Sequence, residues 1–293
     1  MNKLSIKERA AIVRLLVEGN SLRSCSRIAD VSINTVTGIV EKVGEACLKF
    51  HNDTVVNVPS KRIEADEIWS FVYAKEKNVP NTTKSDDPKV GDAWTFVAID
   101  ADTKLIVSWL VGRRDAVSAN DFMYELSARL RNRIQLTTDG FRPYLQAVEN
   151  AFQDDIDFAQ LIKIYGLPEG NPNEKRYSPA KCTGSEKRWV SGDPVESLIS
   201  TSYIERQNLT MRMSMRRFTR LTNGFSKKME NHCYSIALTF VYCNFCRIHK
   251  TLRVTPAMAA GLCDRVMSLE EIVRMAYADE IEAEQRRLAR RYR

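Results

Sequence analysis

Three short runs rich in aromatic and β-branched residues follow one another in the first half of the chain. They cover residues 68–73 (IWSFVY), 94–99 (WTFVAI) and 105–111 (LIVSWLV), and polar turns bound each of them. Such runs are typical of β-strands, and the connection between the second and third has hairpin length. A helical spacing of apolar residues over 116–132 and a fourth strand over 134–138 come next. The sequence therefore predicts a mixed sheet flanked by helices.

The fourth predicted strand ends in an acidic residue, Asp139, and a helix over 144–152 and a strand over 158–165 follow it. Three strands, a helix and a further strand that ends in an acidic residue are the order of a ribonuclease H-like α/β domain. Residues 166–200 break this pattern with Pro, Gly, Ser and basic residues, which predicts an insertion or a long loop. Helices are predicted again over residues 203–218 and 227–250.

The first fifty residues have the apolar spacing of three short helices. Ser21 and Ser32 stand where the N-caps of the second and third helices are expected. A tight turn between these two helices makes a helix-turn-helix, whose last helix enters the DNA major groove by its N-terminal residues. An all-α packing or oligomerisation module is the alternative. The candidates for DNA contact, the first two with phosphate and the others with bases, are Arg23, Arg27, Asn34, Thr35 and Thr37.

Basic residues are concentrated in one segment of the chain. The protein has a net charge of +7, and residues 201–250 alone carry nine Lys and Arg against two Asp and Glu. The preceding residues 63–200 are net acidic. This juxtaposition is typical of a polyanion-binding surface beside a cation-binding centre, and a solvated basic helix is the alternative. The basic residues assigned to DNA here are Arg206, Arg216, Arg217, Arg220, Lys227 and Lys228.

These patterns divide the chain into four parts. We expect a helix-turn-helix domain over residues 1–50, a linker over 51–61, a catalytic domain over 62–250 that contains the 166–200 insertion, and a helical tail over 251–293. No apolar run reaches the length of a membrane span, and the first residues lack the apolar stretch of a secretory signal. Seven scattered cysteines without such a signal predict reduced thiols. We therefore expect a soluble protein of the cytoplasm.

Three carboxylates stand at positions that a folded sheet could bring together. Asp66 lies at the head of the first strand, Asp139 ends the fourth, and Glu205 lies on the basic helix. Such a cluster suits two divalent cations, Mg²⁺ or Mn²⁺, which clamp the attacking and leaving oxygens of a phosphoryl transfer. Arg212 lies two helical turns after Glu205, so it shares that face and could hold a phosphate.

Each of these carboxylates also has an alternative interpretation. Asp139 before a glycine makes a turn and helix-cap pair, and Glu205 could close a capping box with Ser202. Glu64 or Glu67 could take the place of Asp66.

The spacing Cys243-x-x-Cys246-x-x-His249 suggests a metal site. These residues fall on one apolar helix, and the chain has no second Cys-x-x-Cys pair. We therefore interpret them as small residues of a helical core.

Four stretches together resemble the insertion-sequence-one family of bacterial transposases. They are EADEIWSFVYAK, TTDGFRPY, the segment YIERQNLTMRMSMRRFTRLTNGFSKK over 203–228, and the helix-turn-helix GNSLRSCSRIADVSINTVTGIVEKVGEAC. The resemblance runs over most of residues 1–260, and the YIERxNxxxR-like block beside FSKK is specific. It implies a DDE transposase with a ribonuclease H-like core, which uses Mg²⁺ to release the 3′ ends of its element and join them to target DNA.

Carried onto this chain, the resemblance implies a triad of metal ligands, Asp66, Asp139 and Glu205, with Arg212 as the basic residue after the glutamate. The second gap of the triad spans 66 positions because the 166–200 segment lies inside it. Members of the family can also carry an N-terminal zinc-binding module, but no cysteine or histidine cluster precedes the second helix, so zinc is not predicted. Weaker rivals for the glutamate are Glu174, Glu186 and Glu196.

The resulting prediction is an insertion-sequence transposase, a polynucleotidyl transferase associated with the bacterial nucleoid. Two Mg²⁺ ions, for which Mn²⁺ can substitute, would serve its reaction. Its partner would be double-stranded DNA, bound at terminal inverted repeats by a homodimer or higher oligomer, since repeats stand at both ends. An inactive helix-turn-helix regulator derived from a transposase and a structure-selective nuclease on the same fold are the alternatives.

Overall fold

Serine caps begin the first three helices of the computed structural model, which describes residues 3–166, 181–219 and 222–291. The hydroxyls of Ser5, Ser21 and Ser32 each accept a backbone N–H from the first turn that follows. Such a bond satisfies an otherwise unpaired donor and fixes where a helix begins. The caps predicted at Ser21 and Ser32 are therefore present. The helices are α1 (Ile6–Val17), α2 (Leu22–Ile28) and α3 (Ile33–Thr54).

A mixed sheet of six strands forms within the described residues. Its order is β3-β2-β1-β4-β5-β6, with β1 parallel to β4, β4 parallel to β5, and β6 antiparallel to β5. This order and the flanking helices fit the predicted ribonuclease H-like α/β fold. The strands are β1 (Arg62–Val72), β2 (Gly91–Asp100), β3 (Ile106–Gly112), β4 (Ile134–Thr138), β5 (Ile156–Tyr165) and β6 (Cys182–Ser191).

The other helices lie between the later strands and in the last third of the chain. Two of them flank β4 in sequence, and the rest follow β6. None of the helices in the three described stretches is long and apolar enough to cross a membrane. They are α4 (Ala116–Arg129), α5 (Pro143–Phe152), α6 (Ser202–Ser214), α7 (Met229–Val241), α8 (Pro256–Ala259), α9 (Leu269–Ala276) and α10 (Ala278–Arg291).

The chain divides into two compact units that are not continuous in sequence. The sheet unit contains residues 57–68 and 95–206, and the helical unit contains residues 1–56, 69–94 and 207–293. Strands β1 and β2 and helix α6 contribute residues to both units. The domain limits expected from the sequence stay predictions.

Aromatic side chains hold α4 and α5 together over the sheet in the sheet unit. The Phe96 ring of β2 lies 5.6 Å from the Phe122 ring of α4 and 6.3 Å from the Tyr144 ring of α5, measured between centroids. All three side chains are buried. Burying rings of this size contributes a large part of a core's stability. This packing fixes α5 beside the strand end that carries Asp139.

Close backbone packing joins α3 and α7 in the helical unit. A Cβ atom at Gly44 of α3 would lie 2.4 Å from the Cβ of Tyr234, so glycine is required for this approach. Helix α9 packs against α1 and α3 and buries Leu269, Ile272 and Val273 on one face. The N-terminal helices thus share a core with C-terminal ones, and their action on DNA as a helix-turn-helix stays a prediction.

One strand lies in the segment 166–200, which we interpreted as an insertion or a long loop. Residues 182–191 form β6, so the loop interpretation is wrong for them. The strand is exposed on both faces, and its sequence CTGSEKRWVS therefore lacks the alternation of apolar and polar residues that marks a half-buried strand. Residues 167–180 of the segment lie outside the described residues.

Several other boundaries differ from the prediction. Strand β1 begins at Arg62, before the predicted start at Ile68. The prediction missed its first residues because polar side chains there interrupt the apolar pattern, although the backbone is extended. Asp66 is therefore an interior residue of β1 and not its first. The two later helices are shorter than expected: α6 ends at Ser214, and α7 ends at Val241, where a single π-helical turn follows. That turn widens the spacing of backbone hydrogen bonds and ends the regular helix.

Candidate active site

Asp66 of β1 and Asp139, which directly follows β4, lie side by side at adjacent parallel strands. The last paired residues of β1 and β4 are Ala65 and Thr138, and each aspartate is the next residue after that pair. Parallel strands in register place equivalent positions at the same level of the sheet. The fold thus brings together two of the carboxylates that the sequence analysis singled out.

A third carboxylate, Glu67, completes a group with these two. One ligand oxygen from each of Asp66, Glu67 and Asp139 lies within 4.8 Å of the others. Across residues 3–166, 181–219 and 222–291, no other group of three or more His, Cys, Asp or Glu side chains is arranged closely enough to hold a metal ion. We refer to Asp66, Glu67 and Asp139 as the carboxylate cluster.

Arg114 lies against the carboxylate cluster. Its Nη2 atom is 3.5 Å from Oε2 of Glu67 and 3.9 Å from Oδ2 of Asp139. The guanidinium also lies over the Phe141 ring, 4.2 Å from the centroid, which holds it in place. One arginine offsets only part of the charge of three carboxylates, so the ionised cluster is negative.

Burial makes the charged form of this cluster unfavourable. Desolvation first, and then the charges of Asp139 and Asp66, raise the pKa of Glu67 to about 8. Desolvation also raises the pKa of Asp139, although the Phe141 backbone N–H donates to it at 2.9 Å and, with Arg114, works in the opposite direction. Carboxylates perturbed by burial and by each other are typical of functional sites. A bound cation would reverse this balance.

Glu205 lies in the same cavity as the two aspartates but has partners of its own. Its Oε1 accepts a hydrogen bond from the Thr201 hydroxyl, and its Oε2 accepts one from Nζ of Lys163, each at 2.5 Å. The cavity has a volume of about 690 Å³. Its lining includes Asp66, Arg114, Asp139, Lys163, Thr201 and Glu205.

Glu64 of β1 holds the start of the helix that carries Glu205. Its Oε2 accepts the backbone N–H groups of Tyr203 at 2.8 Å and Ile204 at 3.0 Å. A carboxylate at a helix N-terminus satisfies unpaired donors and interacts favourably with the helix dipole. Because side chains two residues apart share a face of a strand, Glu64 and Asp66 lie on the same face of β1. The anchored helix therefore brings Glu205 to the cavity. Since α6 begins at Ser202, that serine lies inside the helix and is not its cap.

The donor set suits a hard divalent cation. All the candidate ligands are carboxylate oxygens, which Mg²⁺ and Mn²⁺ prefer. The Oε1 atom of Glu67 is buried and accepts no hydrogen bond from any residue that the structure describes. An oxygen buried without a partner is unfavourable unless a further group binds it. The residues present therefore fit a metal ion.

The predicted DNA contacts of the N-terminal helices have different environments. Arg23, Arg27 and Asn34 are exposed. The Thr35 hydroxyl is 2.9 Å from that of Ser32, and the Thr37 hydroxyl donates to the Ile33 carbonyl at 2.9 Å. The three exposed side chains are thus better placed for a ligand than the two threonines.

The predicted DNA contacts of the basic segment also differ from one another. Arg206, Arg216, Lys227 and Lys228 are exposed, and Arg212 is half-buried on α6. Arg217 points into the helical unit, where it donates to the hydroxyls of Ser226 at 2.6 Å and Ser235 at 2.7 Å. Burial lowers its pKa to about 10. These contacts favour a structural role for Arg217. Arg220 lies outside the described residues.

The cysteines of the Cys-x-x-Cys spacing are partly buried. Burial raises the pKa of Cys243 to about 11 and that of Cys246 to about 12. Neither of them, nor His249, belongs to a metal-ligand group among the residues described. Because α7 ends at Val241, both cysteines lie in the π-helical turn after it and not on the predicted helix, and their interpretation as core residues stays a prediction.

Sequence reasoning missed two parts of this site. Glu67 was weighed only as a replacement for Asp66, because neighbouring residues of a strand point to opposite faces. Lys163 was not singled out, because its partner Glu205 lies 42 positions away in the sequence. The available signal for Glu67 was the block ADE directly before the strand-like run over residues 68–73.

Comparisons with known proteins give no relative in sequence: no family model and no curated protein matches this chain. One similar solved structure is that of a piggyBac transposase synaptic complex with hairpin DNA. It has 11% identity and a TM-score of 0.38, over 93% of this chain and 69% of that chain. Another is the Mos1 strand transfer complex, with 11% identity and a TM-score of 0.24, over 81% of this chain and 78% of that chain. Scores this low do not establish a shared fold, so the fold is inferred from strand order and the chemistry from the cluster.

Proposed function

We propose that this protein is a DNA transposase of the insertion-sequence-one type, which cleaves the 3′ ends of its element and joins them to target DNA. The observation that carries the proposal is the position of Asp66 and Asp139, at one level of two parallel strands, with Glu205 in the same cavity. Asp66 and Asp139 lie together, Glu205 lines the same cavity, and the described lining of this cavity contains no histidine. This is the ligand set for divalent cations that act on phosphate.

The chain's own residues would divide the work in this cavity. Asp66, Asp139 and Glu205 would hold two Mg²⁺ ions, or Mn²⁺ in their place. When bound, such ions stabilise the attacking and leaving oxygens of an in-line phosphoryl transfer. Arg114 and Lys163 line the same cavity and would contact DNA phosphates, and Arg212 would do so further along α6.

Exposed residues elsewhere would bind double-stranded DNA. Arg23, Arg27 and Asn34 would contact the terminal repeats through the N-terminal helices. Because an element has a repeat at each end, we expect a dimer or a higher oligomer on DNA. The other proposed contacts are Thr35, Thr37, Arg206, Arg216, Lys227 and Lys228.

The test is release of labelled 3′ ends from DNA that carries the inverted repeats flanking the gene. The wild-type protein, Glu205→Gln and the control Glu196→Gln are compared in Mg²⁺, Mn²⁺ and EDTA. Glu196 is an exposed rival glutamate. The proposal expects cleavage and joining by the wild type and by Glu196→Gln in both ions, none in EDTA, and none by Glu205→Gln.

Other outcomes point to other functions. Repeat binding by the wild type without cleavage in either ion would indicate a DNA-binding regulator. Cleavage of branched DNA without joining would indicate a structure-selective nuclease. Equal activity of Glu205→Gln and wild type would remove Glu205 from the site.

A further inference from the structure

The position of Glu67 is unusual for a side chain next to Asp66 on one strand. Neighbouring residues of a strand point to opposite faces, so a metal ligand seldom has its neighbour as a partner. Here the Asp66 carboxylate turns along the strand, since its Oδ1 accepts the backbone N–H of Glu67 at 2.8 Å. β1 also extends beyond its last pair with β4, which lets both side chains approach Asp139. The three ligand oxygens converge as a result.

The contacts of Glu67 within the described residues do not account for its burial as a structural feature. The residue is 8% exposed and its side chain only 2%. Its Oε2 is 3.5 Å from Arg114, but its Oε1 accepts no hydrogen bond from residues 3–166, 181–219 or 222–291. The buried Tyr144 hydroxyl lies beside this carboxyl and works against the rise in its pKa, but neither that hydroxyl nor Oε1 has a partner at hydrogen-bond geometry among the described residues. A buried carboxylate oxygen of this kind needs a partner, and the other two cluster oxygens indicate a cation.

Glu205 differs from Glu67 in its hydrogen-bond partners. Both of its carboxylate oxygens already accept hydrogen bonds, from Thr201 and Lys163. Its oxygens are not part of the group that converges within 4.8 Å. A cation that binds the cluster therefore has no need to displace the Lys163 ammonium.

We propose that Asp66, Glu67 and Asp139 bind one divalent cation by themselves, with Glu67 as the third protein ligand and without Glu205. Glu205 would then serve only the second ion. The inference rests on the proposed function for the reaction that the ion serves, but its test needs no DNA.

The test is equilibrium binding of Mn²⁺ to the full-length protein without DNA, with free Mn²⁺ followed by its electron paramagnetic resonance signal. Wild type, Glu67→Gln and Glu205→Gln are compared with the control Glu64→Gln. Glu64 is also buried on the same strand, but its carboxylate accepts backbone N–H groups at the start of α6 and is not part of the cluster. Removing one charged ligand should weaken the tightest site on the order of tenfold, since ligand charge sets affinity. Glu205→Gln and Glu64→Gln should bind that first ion as the wild type does.

Circular dichroism of each variant shows whether it folds. If Glu67→Gln does not fold, Glu67→Asp keeps the charge and withdraws the oxygen, and it should weaken the tightest site as well. Wild-type affinity in a folded Glu67 variant would overturn the proposal. So would an equal loss in Glu205→Gln and Glu67→Gln, because Glu205 would then share the first ion. Mn²⁺ binding through Glu67 in a protein that cuts no DNA would leave this inference standing and remove the proposed function.

Discussion

Two glutamates in different units of the molecule have opposite electrostatic environments. Glu280 of α10 lies 2.8 Å from Lys3, 2.5 Å from Lys42 and 3.5 Å from Arg9. The hydrogen bonds from Lys3 and Lys42 lower its pKa to about 2. Glu67 has two carboxylates and one arginine beside it, and its pKa is raised to about 8, with burial as the largest cause.

The difference separates a charge that serves folding from one that serves binding. Around Glu280 the chain supplies its own cations, so the ion pairs are complete without a ligand. Around Glu67 the chain gathers anions and buries them, which is unfavourable for the folded protein by itself. A cluster of this kind is explained when a cation from solution completes it. Each of the following experiments tests one side of this comparison.

The largest effect is expected from removing a charge of the cluster during the reaction. Asp139→Asn should reduce 3′-end cleavage by at least about 10³-fold, because metal ions contribute several kcal/mol to such transition states. Rates of cleavage in Mg²⁺ measure the effect. The control is Asp102→Asn, since Asp102 belongs to the same unit and pairs with Arg62 outside the cavity. A similar loss in both variants would show a general effect of charge.

The second effect concerns stability without DNA. Mg²⁺ at about a hundred times its dissociation constant should raise the free energy of unfolding by about 2.7 kcal/mol, since it binds only the folded cluster. Thermal unfolding with and without Mg²⁺ measures this. The Asp66→Asn, Asp139→Asn double variant should show no such increase, whereas Glu280→Gln should keep all of it. An equal increase in the double variant would show that Mg²⁺ stabilises the protein at a site other than the carboxylate cluster.

The smallest effect is expected at Glu280. Glu280→Gln should lower the free energy of unfolding by about 1 kcal/mol at neutral pH, a value set by its partial exposure. The folded-state pKa is lowered from 4.5 to about 2, so this contribution is complete above about pH 4.5 and is lost as pH falls towards 2. Denaturant unfolding of wild type and variant across this range measures the difference. Glu282→Gln is the control, because the ion pair of Glu282 within the described residues is with the exposed Arg286 of its own helix. A difference that grows as pH falls would contradict the account.

Local signals in the sequence were enough for much of the fold. Strand β4 was predicted with its observed bounds, because four of the five residues of Ile134–Thr138 are apolar or β-branched. The serine caps were predicted because one hydroxyl and one backbone N–H decide where a helix begins. Strand β6 was missed because it is stabilised by pairing with β5, and pairing leaves no mark on an exposed sequence.

The site was predictable only in part. Asp139 follows directly on the predicted fourth strand, whereas Asp66, which was expected at the head of the first strand, lies inside β1. Glu67 could not be placed in the same group, because strand periodicity assigns it to the other face. The helix-anchoring bond from Glu64 to Tyr203 joins positions 139 residues apart. Contacts of this range depend on the folded sheet and not on local pattern.

The most direct measurement of the central claim is the metal preference of Asp66→Cys in the cleavage assay. A thiolate is a poor ligand for Mg²⁺ and a better one for Mn²⁺, so the replacement should change which ion supports the reaction. We expect Asp66→Cys to release few 3′ ends in Mg²⁺ and to regain cleavage in Mn²⁺, whereas the wild type works in both. A ratio of Mn²⁺ to Mg²⁺ rates equal to that of the wild type, or no cleavage in either ion, would contradict the claim that the Asp66 carboxylate binds the metal.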